Sequence, residues 1–134
     1  MATMTADLSK YDLTSACGLK DAISYLLDLK KGKNIVAIDL AGKTIVADYF
    51  VIASAYSTTA VKALSNYVED ELAKCGIEPI HRDVDAKWVA LDYGFVIVHV
   101  FYKELRDFYR IERLWEDGAD ELKPSDNDGR SPIN

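Results

Sequence analysis

Basic clusters are the first thing this 134-residue chain lacks: 16 Lys and Arg face 22 Asp and Glu, for a formal net charge of −6. Binding a phosphate backbone needs a basic patch that displaces counterions. Without one, direct nucleic-acid binding is not expected, and a basic protein surface is the better electrostatic match. Only two cysteines occur, Cys17 and Cys75, at the start and end of two helical patterns and without CxxC or metal-ligand spacing. They read as free thiols, buried or partly buried, and their scarcity fits a reducing cytoplasm. No glycine-rich phosphate loop is present, and no apolar run approaches the ~20 residues of a membrane span. The opening residues 1–10 have neither the basic start nor the apolar stretch of a signal peptide, so the expected setting is cytoplasmic.

What is present is ample core material, 49% hydrophobic residues, in a length that fits one domain. Residues 1–13 are polar and unpatterned and read as a flexible lead-in. Leu19, Ala22, Ile23, Leu26 and Leu27 then recur at helical spacing, with Ser15 or Thr14 as N-cap and Gly32 as stop. Residues 34–40 and 44–53 are rich in Ile and Val and flank Ala41-Gly42-Lys43, the pattern of a hairpin. Ser57 caps a second helix striped by Val61, Leu64, Val68 and Leu72 and closed by Gly76. A short strand over 77–82 carries Pro79, a residue of edges and strand starts. Residues 88–91 and 95–102 flank Asp92-Tyr93-Gly94 as a second hairpin, and the latter strand, apolar on both faces, belongs in the middle of the sheet.

A third helix over 103–115 shows Leu105, Phe108, Tyr109, Glu112 and Trp115 at helical steps. The stretch 116–130 carries a net −4, and 116–134 reads as a disordered acidic tail. The folded domain is thus expected over 14–115. The order α-β-β-α-β-β-β-α describes an α/β fold, a mixed sheet of about five strands with helices packed on it.

Chemistry-bearing constellations are sparse. Asp83-Val84-Asp85 could hold a divalent cation, since carboxylates two apart on a strand share a face. A nucleotidyltransferase site, however, would need a glycine-serine loop and a third carboxylate. The pair therefore reads as a solvated turn, and Asp39 and Asp48 as hairpin-edge acids. No metal, cofactor or catalytic residue is assigned. Of the two histidines, His99 shares a face with Phe95, Ile97 and Phe101 and reads as a hydrogen-bonded core residue. Trp88, Tyr93, Phe101, Arg106, Tyr109, Glu112 and Trp115 combine the types that anchor protein interfaces, although both tryptophans also suit a core.

Four linked motifs resemble a known family. Residues 48–57, from Asp48 through Val51-Ile52, Ser54 and Ala55 to Ser57, resemble D-x-x-V-I-x-(S/T)-G-x-S. Trp88 to Gly94 resemble W-x-x-L-D-Y-G. Val96 to Phe101 match V-x-V-H-V-F, and Arg106 to Trp115 match R-x-F-Y-x-(L/I)-E-x-L-W. In this order and spacing, the chain resembles the ribosomal silencing factor (Iojap-like) family. It departs from that pattern at Ala55, where glycine is usual, at Phe95, where aspartate is common, and at 82–87, where a glycine-rich stretch is missing.

The resemblance implies a non-enzymatic factor with a nucleotidyltransferase-like sheet that has lost its catalytic residues. It implies docking on the large ribosomal subunit through that subunit's fourteenth protein, obstruction of subunit joining, and repression of translation when nutrients are short. By motif position the docking set is Trp88, Leu91, Asp92, Tyr93, Arg106, Tyr109 and Glu112. Trp88 and Tyr93 would anchor, Asp92 and Glu112 would meet Arg or Lys, and Arg106 would either dock or brace the acids. Two other classes stand beside this one: a metal-dependent nucleotidyltransferase-like enzyme, and a scaffold that self-associates, for example as a homodimer through an open hairpin edge.

Overall fold

A computed structural model describes residues 6–40, 42–43 and 47–104 of the chain. The first helix, α1 (Ala16–Leu29), is capped by Ser15, whose Oγ accepts the Gly18 N–H at 2.9 Å. Its stripe of Leu19, Ala22, Ile23, Leu26 and Leu27 is buried. The left-handed residue that ends it is Lys31 (φ 69°), not Gly32.

Strand β1 (Lys33–Asp39) runs antiparallel to β2 (Tyr49–Ala55). The expected second strand over 44–53 is thus displaced toward its C-terminal end. Parallel pairing with β5 (Val96–Tyr102), from Tyr49 opposite Val96 to Ala55 opposite Tyr102, sets its length. Helix α2 (Thr58–Ala73) follows, capped by the Ser57 Oγ on the Ala60 N–H, with Val61, Leu64, Val68 and Leu72 buried as the stripe requires.

The expected strand over 77–82 is a correction. Ile77 N–H returns to the Leu72 carbonyl and finishes α2, while strand β3 (His81–Asp85) forms further on. Asp83-Val84-Asp85 is therefore strand, not a solvated turn. The two-residue turn Ala86-Lys87 sets the register with β4 (Trp88–Asp92), placing Asp85 opposite Trp88, Asp83 opposite Ala90 and His81 opposite Asp92. Strand β5 then pairs antiparallel with β4. The five-stranded sheet has the order β1-β2-β5-β4-β3, so the strand apolar on both faces is central, as its composition demands.

Both helices pack on one face, where Leu19, Ile23, Leu27, Val61, Val68 and Leu72 meet Val51, Ala53, Leu91, Val96, Val98 and Val100. On the opposite face Ile38, Leu40, Ala47, Phe50, Ile52 and Phe101 form a second buried cluster, with Val36, Trp88 and Ile97 at its margin. The third helix over 103–115 and the tail over 116–134 lie, except for residues 103 and 104, outside the described residues.

Two further readings change. Residues 6–13, read as a flexible lead-in, instead pack: Leu8 is buried in the helix-side core, and the Ala6 N–H reaches the Glu71 carboxylate at 3.0 Å. Gly18 is needed for this path, since a Cβ there would stand 2.1 Å from the Asp12 carbonyl oxygen. Cys17 and Cys75 are free, as expected, but both are exposed rather than buried. Each sits on the polar side or end of its helix, where periodicity assigns no core contact.

Candidate functional site

Strand alternation divides the W-x-x-L-D-Y motif between two faces. Val89 and Leu91 turn to the helix side and are buried at 2% and 0% exposure. Trp88, Ala90 and Asp92 turn the other way and are half-buried. Tyr93, just past the strand, is buried at 6% in the helix-side core. Its hydroxyl has no hydrogen-bond partner among the described residues. Burial, with Glu69 and Glu78 adding to it, pushes that hydroxyl's pKa far up, so it stays neutral.

Of the seven motif residues expected to dock, the structure thus brings Trp88 and Asp92 to one surface and sets Leu91 and Tyr93 beneath it. Arg106, Tyr109 and Glu112 lie outside the described residues. The turn that follows holds Asp92 in place: its Oδ1 accepts the Gly94 N–H at 2.8 Å, and Gly94 takes φ +97°, a conformation side chains resist.

Behind Trp88 stands an aromatic stack. Its ring lies 6.3 Å from Phe101 and 6.5 Å from His99, His99 and Phe101 are 5.9 Å apart and nearly parallel, and Phe50 meets His99 edge-on at 4.9 Å. His99 is a core residue as read, but it is not hydrogen-bonded: neither ring nitrogen has a partner among the described residues, nor has the Trp88 Nε1. Burial lowers the His99 pKa from 6.5 to about 4, so the imidazole is neutral at pH 7. A neutral ring stacked between aromatics gives Trp88 a rigid backing.

Charge is sorted between the two faces of the β3–β4 hairpin. Arg82 turns to the helix side and pairs with Glu69 of α2 at 3.1 Å. Lys87 holds its ammonium 5.9 Å over the Tyr102 ring. Asp83, Asp85 and Asp92 have no ion pair among the described residues. Asp85, at the strand end, takes the Lys87 N–H at 3.3 Å. By register Asp83, Asp92 and the strand-end Asp85 share the face of Trp88.

A groove of about 540 Å³ lies on the helix side, between α2 and this hairpin, bordered by Thr58, Lys62, Asn66, Arg82 and Asp85. It holds a single carboxylate and no nucleophile paired with a base. No His, Cys, Asp and Glu cluster suited to a metal occurs among the described residues. No described helix is long and apolar enough to cross a membrane.

Residues 14–133 match the family described as "Ribosomal silencing factor during starvation". The chain belongs to the ribosomal silencing factor family. Its similarity to the silencing factor of Bacillus subtilis is 38% identity over 92 residues, 67% of this chain and 78% of that one. To the silencing factor of Zymomonas mobilis it is 40% over 100 residues, 73% of this chain and 75% of that one. A crystal structure of a Chromobacterium violaceum protein shares the fold at a TM-score of 0.69 and 32% identity, covering 73% of this chain and 84% of that one. Membership in the silencing factor family gives the Trp88 surface its context. One feature of that surface had no signal in the motifs, namely that Asp83 stands beside it, because only the pairing register reveals this.

Proposed function

We propose that this silencing factor docks on the large ribosomal subunit through the subunit's fourteenth protein and blocks joining of the small subunit by steric exclusion, repressing translation under nutrient limitation. Family membership supports the ribosome as target. The single structural observation that carries the docking reading is the Trp88 surface, an aromatic residue backed by a rigid stack and edged by carboxylates that have no ion pair among the described residues, on a chain of net charge −6. An aromatic centre with a polar rim is the usual anatomy of an interface hot spot. In this reading Trp88 and Asp92 make direct contact, Leu91 and Tyr93 hold the hairpin from beneath, and Arg106, Tyr109 and Glu112 belong to the docking set by motif position.

The factor acts as a non-catalytic cytoplasmic protein in this account. Among the described residues, the groove carboxylate Asp85 and the exposed Asp83 offer no assembled phosphoryl-transfer site. A homodimer would form through a sheet edge, β1 or β3, and dissociate to dock. The experiment adds purified protein to separated subunits and follows the monosome peak in a sucrose gradient. The peak should fall with added protein, and an unchanged peak at saturation overturns the reading.

A further inference from the structure

We infer that Ala90 floors a receptor for one basic side chain of the partner, an arginine or lysine seated between the Trp88 ring and the carboxylates of Asp83 and Asp92. This deepens the docking reading above and rests on it. The argument begins with register. Asp83 stands directly opposite Ala90, so those two side chains share the face on which Trp88 and Asp92 lie two residues either way along β4. Ala90 is the smallest side chain of that row, with larger Trp88 and Asp92 on both sides, so the surface dips there.

The chemistry of the dip is one-sided. One wall is an indole backed by His99 and Phe101, a surface that attracts a cation over its ring face. Another wall carries two carboxylates with no ion pair among the described residues. The hairpin's own cations are held elsewhere, Arg82 on Glu69 and Lys87 over Tyr102, so neither fills the dip from within. A planar guanidinium fits best, since it can stack and donate hydrogen bonds to two carboxylates at once.

Asp83 lies outside the family motifs, on strand β3.

The test measures binding of the full chain to isolated large subunits over a range of salt. Asp83→Asn removes one charge from an exposed residue, and Ala90→Leu fills the dip without touching charge. Asp70→Asn, exposed on α2, is the control of equal charge change. We expect at least a fivefold loss for Asp83→Asn at low salt that shrinks as salt rises, because exposed charges are screened. Ala90→Leu should lose at least fivefold at every salt, and Asp70→Asn should stay within twofold of the parent. Circular dichroism confirms that each variant is folded. If the parent binds and both Asp83→Asn and Ala90→Leu bind like it, or Asp70→Asn loses as much, the receptor is wrong while the docking reading stands. If the parent itself does not bind, both fall.

Discussion

At His99 and Tyr93 packing holds the side chain in place while its polar atoms have no partner among the described residues. A buried hydroxyl without a partner forfeits about 1–3 kcal/mol of desolvation. Tyr93→Phe removes only that hydroxyl, so the variant should unfold at equal or higher denaturant than the parent. A lower midpoint would reveal a partner for the hydroxyl. For His99 the sign follows from the lowered pKa. The unfolded chain binds the proton near pH 6.5 and the folded chain only near pH 4, so the unfolded state holds more protons between these values. Stability is therefore full above about pH 6.5 and falls as pH drops toward 4. By the usual conversion the loss reaches about 3 kcal/mol. His99→Phe keeps a ring in the stack and should remove that share of the pH dependence. Denaturant midpoints from pH 4.5 to 7 for parent and variant measure it, and parallel curves would refute it.

Elements differ in how far the amino-acid order reveals them. The stripes of α1 and α2 were legible because every fourth or third residue answers to one core, and Ser15 and Ser57 cap as their side chains allow. Strand β5 was legible because a central strand is apolar on both faces. Strand β3 was not, since all five of its residues are exposed and no burial selects an alternation. Its charged residues instead suit an edge strand that must not pair with strangers. The motif around Trp88 falls within one hairpin, yet it mixes two faces, so it groups Leu91 and Tyr93, which lie beneath the surface, with Trp88 and Asp92, which reach it. The segment before α1 was illegible for another reason. Leu8 is one apolar residue without period, and its docking depends on a glycine ten residues later. Gly18→Ala would drive a Cβ against the Asp12 carbonyl, so the segment must lift or the helix shift. The expected cost is about 1–3 kcal/mol, read as a lower melting temperature together with faster proteolysis within residues 6–13. Unchanged melting and proteolysis would show that the segment does not pack there.

At the scale of the whole molecule, the sheet separates two tasks. One face is devoted to α1 and α2 and supplies most of the core. The other carries the aromatic stack and brings Trp88 to a surface whose charge is opposite to that of a basic partner. In the proposed docking, affinity and steering reside in different residues. Trp88 would be the apolar anchor, and truncating such a residue typically costs about 2 kcal/mol or more, roughly thirtyfold in binding. Asp92 would act through its charge, which salt screens. Trp88→Ala should therefore weaken binding to large subunits at every salt concentration. Asp92→Asn keeps an acceptor for the Gly94 N–H, so the turn survives, and it should weaken binding mildly and chiefly at low salt. Trp88 also packs on Phe101, so Trp88→Ala will lower the melting temperature as well. Binding measured well below that temperature separates the two effects, because a folded variant with parental affinity would mean that Trp88 serves only the stack. Equal salt dependence for the two variants would mean that anchor and rim are not divided as this face suggests.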